Sequence, residues 1–266
     1  MNTAAVRTWK KKPMIESRRM RWFLGVGAAI YLSMAIGSTE VNWSRVYEGL
    51  DRGWAFILAF TSPDFAERWS DIRDGLAESL VMTVTSTAFG ILLSVPFGLG
   101  AARNIAPPPV YLFCRGFIAV SRSLPEIIVA IFMVAIFGFG TFAGFITLTF
   151  ATIGFLAKLL AEDIEDSSPV QLEAVRATGA KWSQLMNYGV QPQVMPRLIG
   201  LSLYRLDINF RESTVLGLVG AGGIGATLNT SFDRYEFGTS AAIILTIIAF
   251  VMIAEYSSGL IRARLQ

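Results

Sequence analysis

Long apolar runs constrain this chain more than any motif in it. A helix that crosses a bilayer needs about 20 mostly apolar residues. Runs of that kind occur at Trp22 to Gly37, Leu76 to Ala102, Val110 to Gly138, Phe142 to Ala161, Leu198 to Leu218 and Thr239 to Leu260. The first is slightly short but opens on basic and aromatic anchors. The third is interrupted at Pro125, and the fifth is studded with charges. None alternates apolar and polar residues as an outer-membrane barrel strand would. Only 16% of the 266 residues are charged, 53% are hydrophobic and the mean hydropathy is +0.51, whereas a soluble domain carries roughly 25% charged residues. The expectation is an all-α integral membrane protein with about six transmembrane helices.

Composition also excludes chemistry. The chain has no histidine and a single cysteine, Cys114. It can form no internal disulfide, lacks the base of a Ser-His-Asp or Cys-His set, and is starved of zinc ligands. Cys114 lies in an apolar stretch and reads as a packing residue. A net charge of +3 gives no dense basic face, so no nucleic-acid partner is expected. No G-x-x-x-x-G-K-[ST] occurs, so the chain has no P-loop for ATP, and any hydrolysing subunit must be another polypeptide.

Basic residues orient the spans. With the N-terminus in the cytoplasm, 14 arginines and lysines fall on that side, Arg7, Lys10, Lys11, Lys12, Arg18, Arg19 and Arg21 among them, against five outside, which favours cytoplasmic N- and C-termini. The start resembles a signal peptide in charge order, but its basic region is long and no clean cleavage pattern follows, so an uncleaved first span is expected. The organisation reads as a basic tail (1–20), a first helix (21–38) and an external connection (39–74). A membrane core (75–260) follows, with a cytoplasmic loop at 162–193, and the chain closes on a short tail (261–266). Within the external connection, "GWAFILAF" is too short to span and reads as an interfacial or packing helix.

The cytoplasmic loop encodes two short helices. Ser168 can cap the first, with Pro169 at its opening position. Gly179 ends or bends it, since glycine permits a turn that a β-carbon would obstruct. A second amphipathic piece is expected from Lys181 to about Tyr188, with Pro192 and Pro196 stopping it before the membrane is re-entered. The stretch "EAVRATGAKWSQLMNYGVQP" resembles the coupling loop of bacterial ABC-importer permeases, whose pattern is E-A-A, three residues, G, nine residues, I-x-L-P. Glu173, Ala174, Gly179 and Pro192 match in register; Val175, Gly189 and Gln191 depart from it. Two further stretches, "LYRLDINFRESTVLGLVGAGGIG" and "SRSLPE", are similar to permeases for phosphonates and related oxyanions, phosphite included.

That resemblance implies a type I ABC importer permease fold and a homodimer with the pore between two copies. It implies a cytoplasmic ATPase pair that binds ATP and Mg, and an external solute-binding protein that delivers the anion. In that family the loop docks into a groove on the ATPase subunit. Surrounding lipid completes the expected partners, and the bacterial inner membrane is the expected location.

Several intramembrane residues invite a functional reading, because charge at membrane depth is costly and usually marks a pathway or a partner. Asp207 and Arg211 stand at i and i+4 and can pair, as can Arg122 and Glu126 around Pro125. Ser202, Arg205, Asn209, Glu212 and Ser213 share another face of the same helix. Such pairs either brace broken helices or, at Arg122, Glu126, Arg211 and Ser213, line an anion pathway. Guanidinium groups suit phosphate-like oxygens through bidentate contacts. Gly220 to Gly225 spells G-x-G-x-x-G, but a membrane helix precedes it where a dinucleotide fold needs a strand. Gly220, Gly222, Gly223 and Gly225 read as a helix end needing positive φ and close approach, or as an external gate. The hydroxyls Ser79, Thr83, Thr85, Ser86 and Thr87 read as interhelical packing. A membrane-embedded enzyme using Glu126 and Glu212 as acid and base, or a permease of the same architecture for an amino acid, are the alternatives.

Overall fold

A computed structural model describes residues 15, 17–39 and 42–265, with side chains described through residue 260. The basic residues Arg7 and Lys10–Lys12 and the side chains of Arg262 and Arg264 therefore lie outside the description. The chain divides into two compact units, Met1–Trp54 and Ala55–Gln266. The first holds α1 (Arg18–Ser38) and most of α2 (Trp43–Ala59). Helix α1 buries none of its residues, as a lipid-immersed helix does, and Ser17 caps it by accepting from the Met20 amide. Helix α2 is amphipathic, with Trp43, Tyr47, Leu50 and Trp54 exposed among Arg45, Glu48, Asp51 and Arg52. It is twice the length of the "GWAFILAF" segment that signalled it.

The second unit is a helical bundle with no strand among the described residues. Its elements are α3 (Trp69–Ala101), α4 (Pro108–Ser123), α5 (Glu126–Phe137), α6 (Thr141–Glu165), α7 (Pro169–Ala177), α8 (Trp182–Gln184), a π-helical turn (Leu185–Val190), α9 (Gln191–Leu218), α10 (Ile224–Asp233) and α11 (Phe237–Leu265). Four of the described helices are long and apolar enough to cross a membrane, α1, α3, α6 and α11; α4 and α5 pass together as a fifth span bent by 97° at Pro125. Pro125 lacks an amide donor and disfavours helix at Leu124, which accounts for the break. The run expected as the fifth span forms the 28-residue helix α9, which Arg205, Asp207, Arg211 and Glu212 keep out of the set long and apolar enough to cross a membrane. Helix α11 runs on to Leu265, so the expected tail at 261–266 is largely helix.

Packing divides the bundle into two ends around α3 and α6, its most extensively packed pair. At one end, Ala101, Cys114, Ile118, Leu160 and Ile164 form a core with Leu172, Leu185, Val190 and Leu198. At the other, Ile72 of α3 meets Ile224 and Leu228 of α10 and Ile243 of α11. Between them Met82, Ala130, Leu148 and Leu216 join α3, α5, α6 and α9.

Candidate functional site

The polar residues of α9 organise the middle of the bundle. Arg205 and Asn209 lie one turn apart on the face turned inward, and Asn209 is fully buried. The Arg205 guanidinium donates to Glu126 of α5 at 2.8 Å and through Nε to Thr152 Oγ1 of α6 at 3.2 Å. Asn209 Nδ2 donates to Thr152 Oγ1 at 2.9 Å and to Thr87 Oγ1 of α3 at 2.8 Å. Glu212, one turn further along, neighbours Glu126, Arg205 and Arg211. A buried charge left unpaired in such a medium costs several kcal/mol, so Glu126 and Arg205 satisfy each other. They tie α9 to the first residue of α5, just beyond the break at Pro125.

This pairing differs from the sequence expectation. Arg122 and Glu126 do not pair, because the 97° bend removes the helical register that would have placed them on one face. Arg122 is exposed, its guanidinium 5.9 Å from the Phe155 ring centroid, and has no carboxylate partner among the described residues. Arg205 lies 5.6 Å from the same ring. Arg211 and Asp207 do pair, at 2.9 Å, with the arginine half exposed (52%) and the aspartate buried (10%). Ser213 is fully buried and donates its hydroxyl back to the Phe210 carbonyl at 2.7 Å, so it turns away from any opening. The hydroxyls of α3 divide. Thr85, Ser86 and Thr87 bond back to carbonyls of their own helix, while Ser79 and Thr87 also accept hydrogen bonds from α10 and α9.

The loop after α6 forms an elbow. Helix α7 starts at Pro169 with Ser168 in the cap position, although the Ser168 side chain makes no cap bond. Its amide is instead accepted by Gln193 Oε1 at 2.9 Å. Gly179 turns the chain with φ +77°. Beyond it the helix does not stop at the prolines: α8, the π turn and α9 are contiguous from Trp182 to Leu218. Pro192 falls in the first turn of α9, where the wider π turn immediately before it accommodates the missing donor, and Pro196 lies within the helix. Gln193 Nε2 donates to the Gly189 carbonyl at 2.6 Å, so one side chain clamps α7 to the π turn. Glu173 and Ala174 are exposed, as are Val170, Trp182 and Tyr188, while Leu172, Leu185 and Met186 face the bundle. Arg197 pairs with Asp163 of α6 at 2.7 Å, and Arg115 of α4 with Glu165 at 2.8 Å, fixing the elbow's base.

At the opposite end lies the glycine segment. Gly220, Gly222 and Gly223 take φ of +93°, +77° and +75°, conformations that other residues rarely adopt. Gly225 packs so closely on α9 that a β-carbon there would collide with the Thr214 carbonyl. The segment leads into α10, a ten-residue helix absent from the sequence expectation. Gly140 N–H, in the α5–α6 turn, donates to the Gly220 carbonyl at 3.0 Å. Sequence reasoning missed Gln193, Glu126 as the partner of Arg205, and α10 itself; Ser79, read as interhelical packing, does meet α10. The signal available for Arg205 and Asn209 was their i, i+4 spacing.

A multi-pass helical bundle with an exposed elbow, continuous with a charge-bearing helix, is an architecture suited to a transport permease. The chain belongs to the family of binding-protein-dependent transport system inner membrane components, which matches residues 94–266. It is 43% identical over 204 residues to the phosphate-import permease protein PhnE of Mycolicibacterium smegmatis, covering 76% of this chain but 38% of that protein. It is 40% identical over 201 residues to the phosphite transport system permease protein PtxC of Stutzerimonas stutzeri, covering 75% of this chain and 73% of that one. Its fold is similar to a chain of the MetNI methionine ABC transporter in inward-facing conformations, with a TM-score of 0.67 at 22% identity over 76% of this chain and 99% of that one.

Proposed function

We propose that the protein is the permease subunit of an ATP-driven ABC importer that moves a phosphonate- or phosphite-type oxyanion across the bacterial inner membrane by alternating access. The observation that carries this reading is the unbroken helix from Trp182 to Leu218, which joins an exposed elbow to the span holding Arg205, Asn209 and Arg211. A push on the elbow is thereby a push on the polar centre. The names of the relatives support the anion class. Methionine, carried by the MetNI transporter, stands for the alternative of a different small solute on the same architecture.

In this reading two copies enclose the pore, and a cytoplasmic ATPase pair grips the elbows at Glu173, Ala174 and Gly179, with Pro192 at their base. ATP and Mg belong to those subunits, and this chain supplies no hydrolytic site of its own. An external binding protein delivers the anion, lipid surrounds the spans, and both termini are cytoplasmic. Arg211, half exposed and only partly neutralised by Asp207, and Arg122, free of a carboxylate partner among the described residues, offer guanidinium groups to the passing oxyanion. Gly220, Gly222, Gly223 and Gly225 form the outer gate.

The test is the reconstituted importer with its ATPase and binding protein. Arg211→Gln and Arg122→Gln should each cut uptake of phosphite or a phosphonate about ten-fold or more, the worth of one hydrogen bond to a charged group, while ATPase activity persists. Full uptake in both variants removes the arginines from the pathway. Stimulation by methionine but by no phosphorus oxyanion replaces the substrate class.

A further inference from the structure

Two amides at the start of α10 are accepted by neighbouring residues of one helix. Gly223 N–H donates to Glu78 Oε2 at 3.0 Å, and Ile224 N–H donates to Ser79 Oγ at 3.0 Å. Both acceptors come from α3. Amides in the first turn of a helix have no partner within it, so these bonds supply what the helix cannot. The two acceptors differ in their surroundings. Ser79 is fully buried, and its contact is sealed from water. Glu78 is exposed and borders a groove of about 420 Å³ with Val81, Thr85, Thr141, Phe142 and Phe145. Water can replace an exposed bond at small net cost, whereas a buried one leaves an orphaned group when broken.

The geometry points to Glu78 as a positioning residue that latches the glycine segment shut, with Ser79 as the fixed pivot beside it. The latch rests on the reading of that segment as the outer gate. Glu78 holds Gly223 through a carboxylate, which also favours the positive end of α10. When the Glu78 bond is exchanged for water, the segment can swing about Ile224, because Gly220, Gly222 and Gly223 have no β-carbon to restrict their backbone. Gly140, bonded to Gly220, carries that motion to the α5–α6 turn.

The test uses the full chain in lipid nanodiscs and the reconstituted importer. Glu78→Ala should speed amide exchange at Gly223 about ten-fold, equivalent to one solvent-accessible hydrogen bond, while Ile224 stays protected. Glu78→Gln retains an acceptor oxygen at the same reach and should restore most of the protection. In the importer, Glu78→Ala should raise ATPase activity without substrate and lower the anions moved per ATP, and Glu78→Gln should recover both. Unchanged exchange at Gly223 in Glu78→Ala, or equal exchange in the Ala and Gln variants, overturns the latch. Faster exchange with undisturbed coupling leaves the bond real and overturns the gate reading on which it rests.

Discussion

Arg205 shows how a single side chain decides its own indispensability. It is almost fully buried, and its partner Glu126 would be left charged inside the bundle if it were removed. Arg205→Ala should therefore destabilise the protein by about 3–5 kcal/mol, the range for breaking a buried ion pair. Arg211→Ala should also be costly although Arg211 is half exposed, because it leaves the buried Asp207 without its cation; thermal unfolding of the two variants in the same detergent compares them. Glycines separate by the space around them. Gly225→Ala drives a methyl into the Thr214 carbonyl and should cost about 1–3 kcal/mol. Gly116→Ala, with open space at its β-position, should leave the unfolding temperature unchanged or raised.

At the scale of elements, the π turn from Leu185 to Val190 matters most, because it sets the rotation of the elbow against α9. Adding one residue to it, beside Asn187, would exceed the slack of the wide turn and rotate everything before it by about 100°. The expected outcome is a membrane-inserted protein whose ATPase no longer drives uptake, measured as transported anion per ATP. How much of this was legible in the sequence follows from the physics of each signal. Apolar runs gave the spans because hydrophobic thickness is a local property of the chain. Gly179 gave the elbow because positive φ at an exposed turn favours one residue type. The two prolines misled: a stop at Pro192 is right for a regular helix, but a π turn supplies the slack, and nothing local announces it. The Arg122–Glu126 pairing failed because spacing predicts a contact only while the helix continues, and Pro125 ends it. Glu126 with Arg205, 79 positions apart, was beyond any local signal, and so were Glu78 and Gln193.

For the whole molecule, the decisive question is which end faces which compartment. Thr178, exposed in the elbow, and Arg234, exposed after α10, lie at opposite ends of the bundle. The only native thiol, Cys114, is buried, so single cysteines at 178 and 234 can be labelled on an unreactive background. In intact cells an impermeant thiol reagent should modify Arg234→Cys and spare Thr178→Cys, and inverted vesicles should reverse the pattern. The opposite result would put the elbow outside and end the importer reading.

Thr152 has one further consequence. Its hydroxyl is the meeting point for Arg205 and Asn209, and Asn209 also reaches Thr87. Two helices, α6 and α9, thus meet at one oxygen, and Asn209 and Arg205 extend the network to Thr87 of α3 and Glu126 of α5. Substitutions at 87, 126, 152, 205 and 209 should be strongly non-additive in double-mutant cycles. Among descendants of this sequence they should change as an inherited set, with single replacements surviving only where a second has already made room.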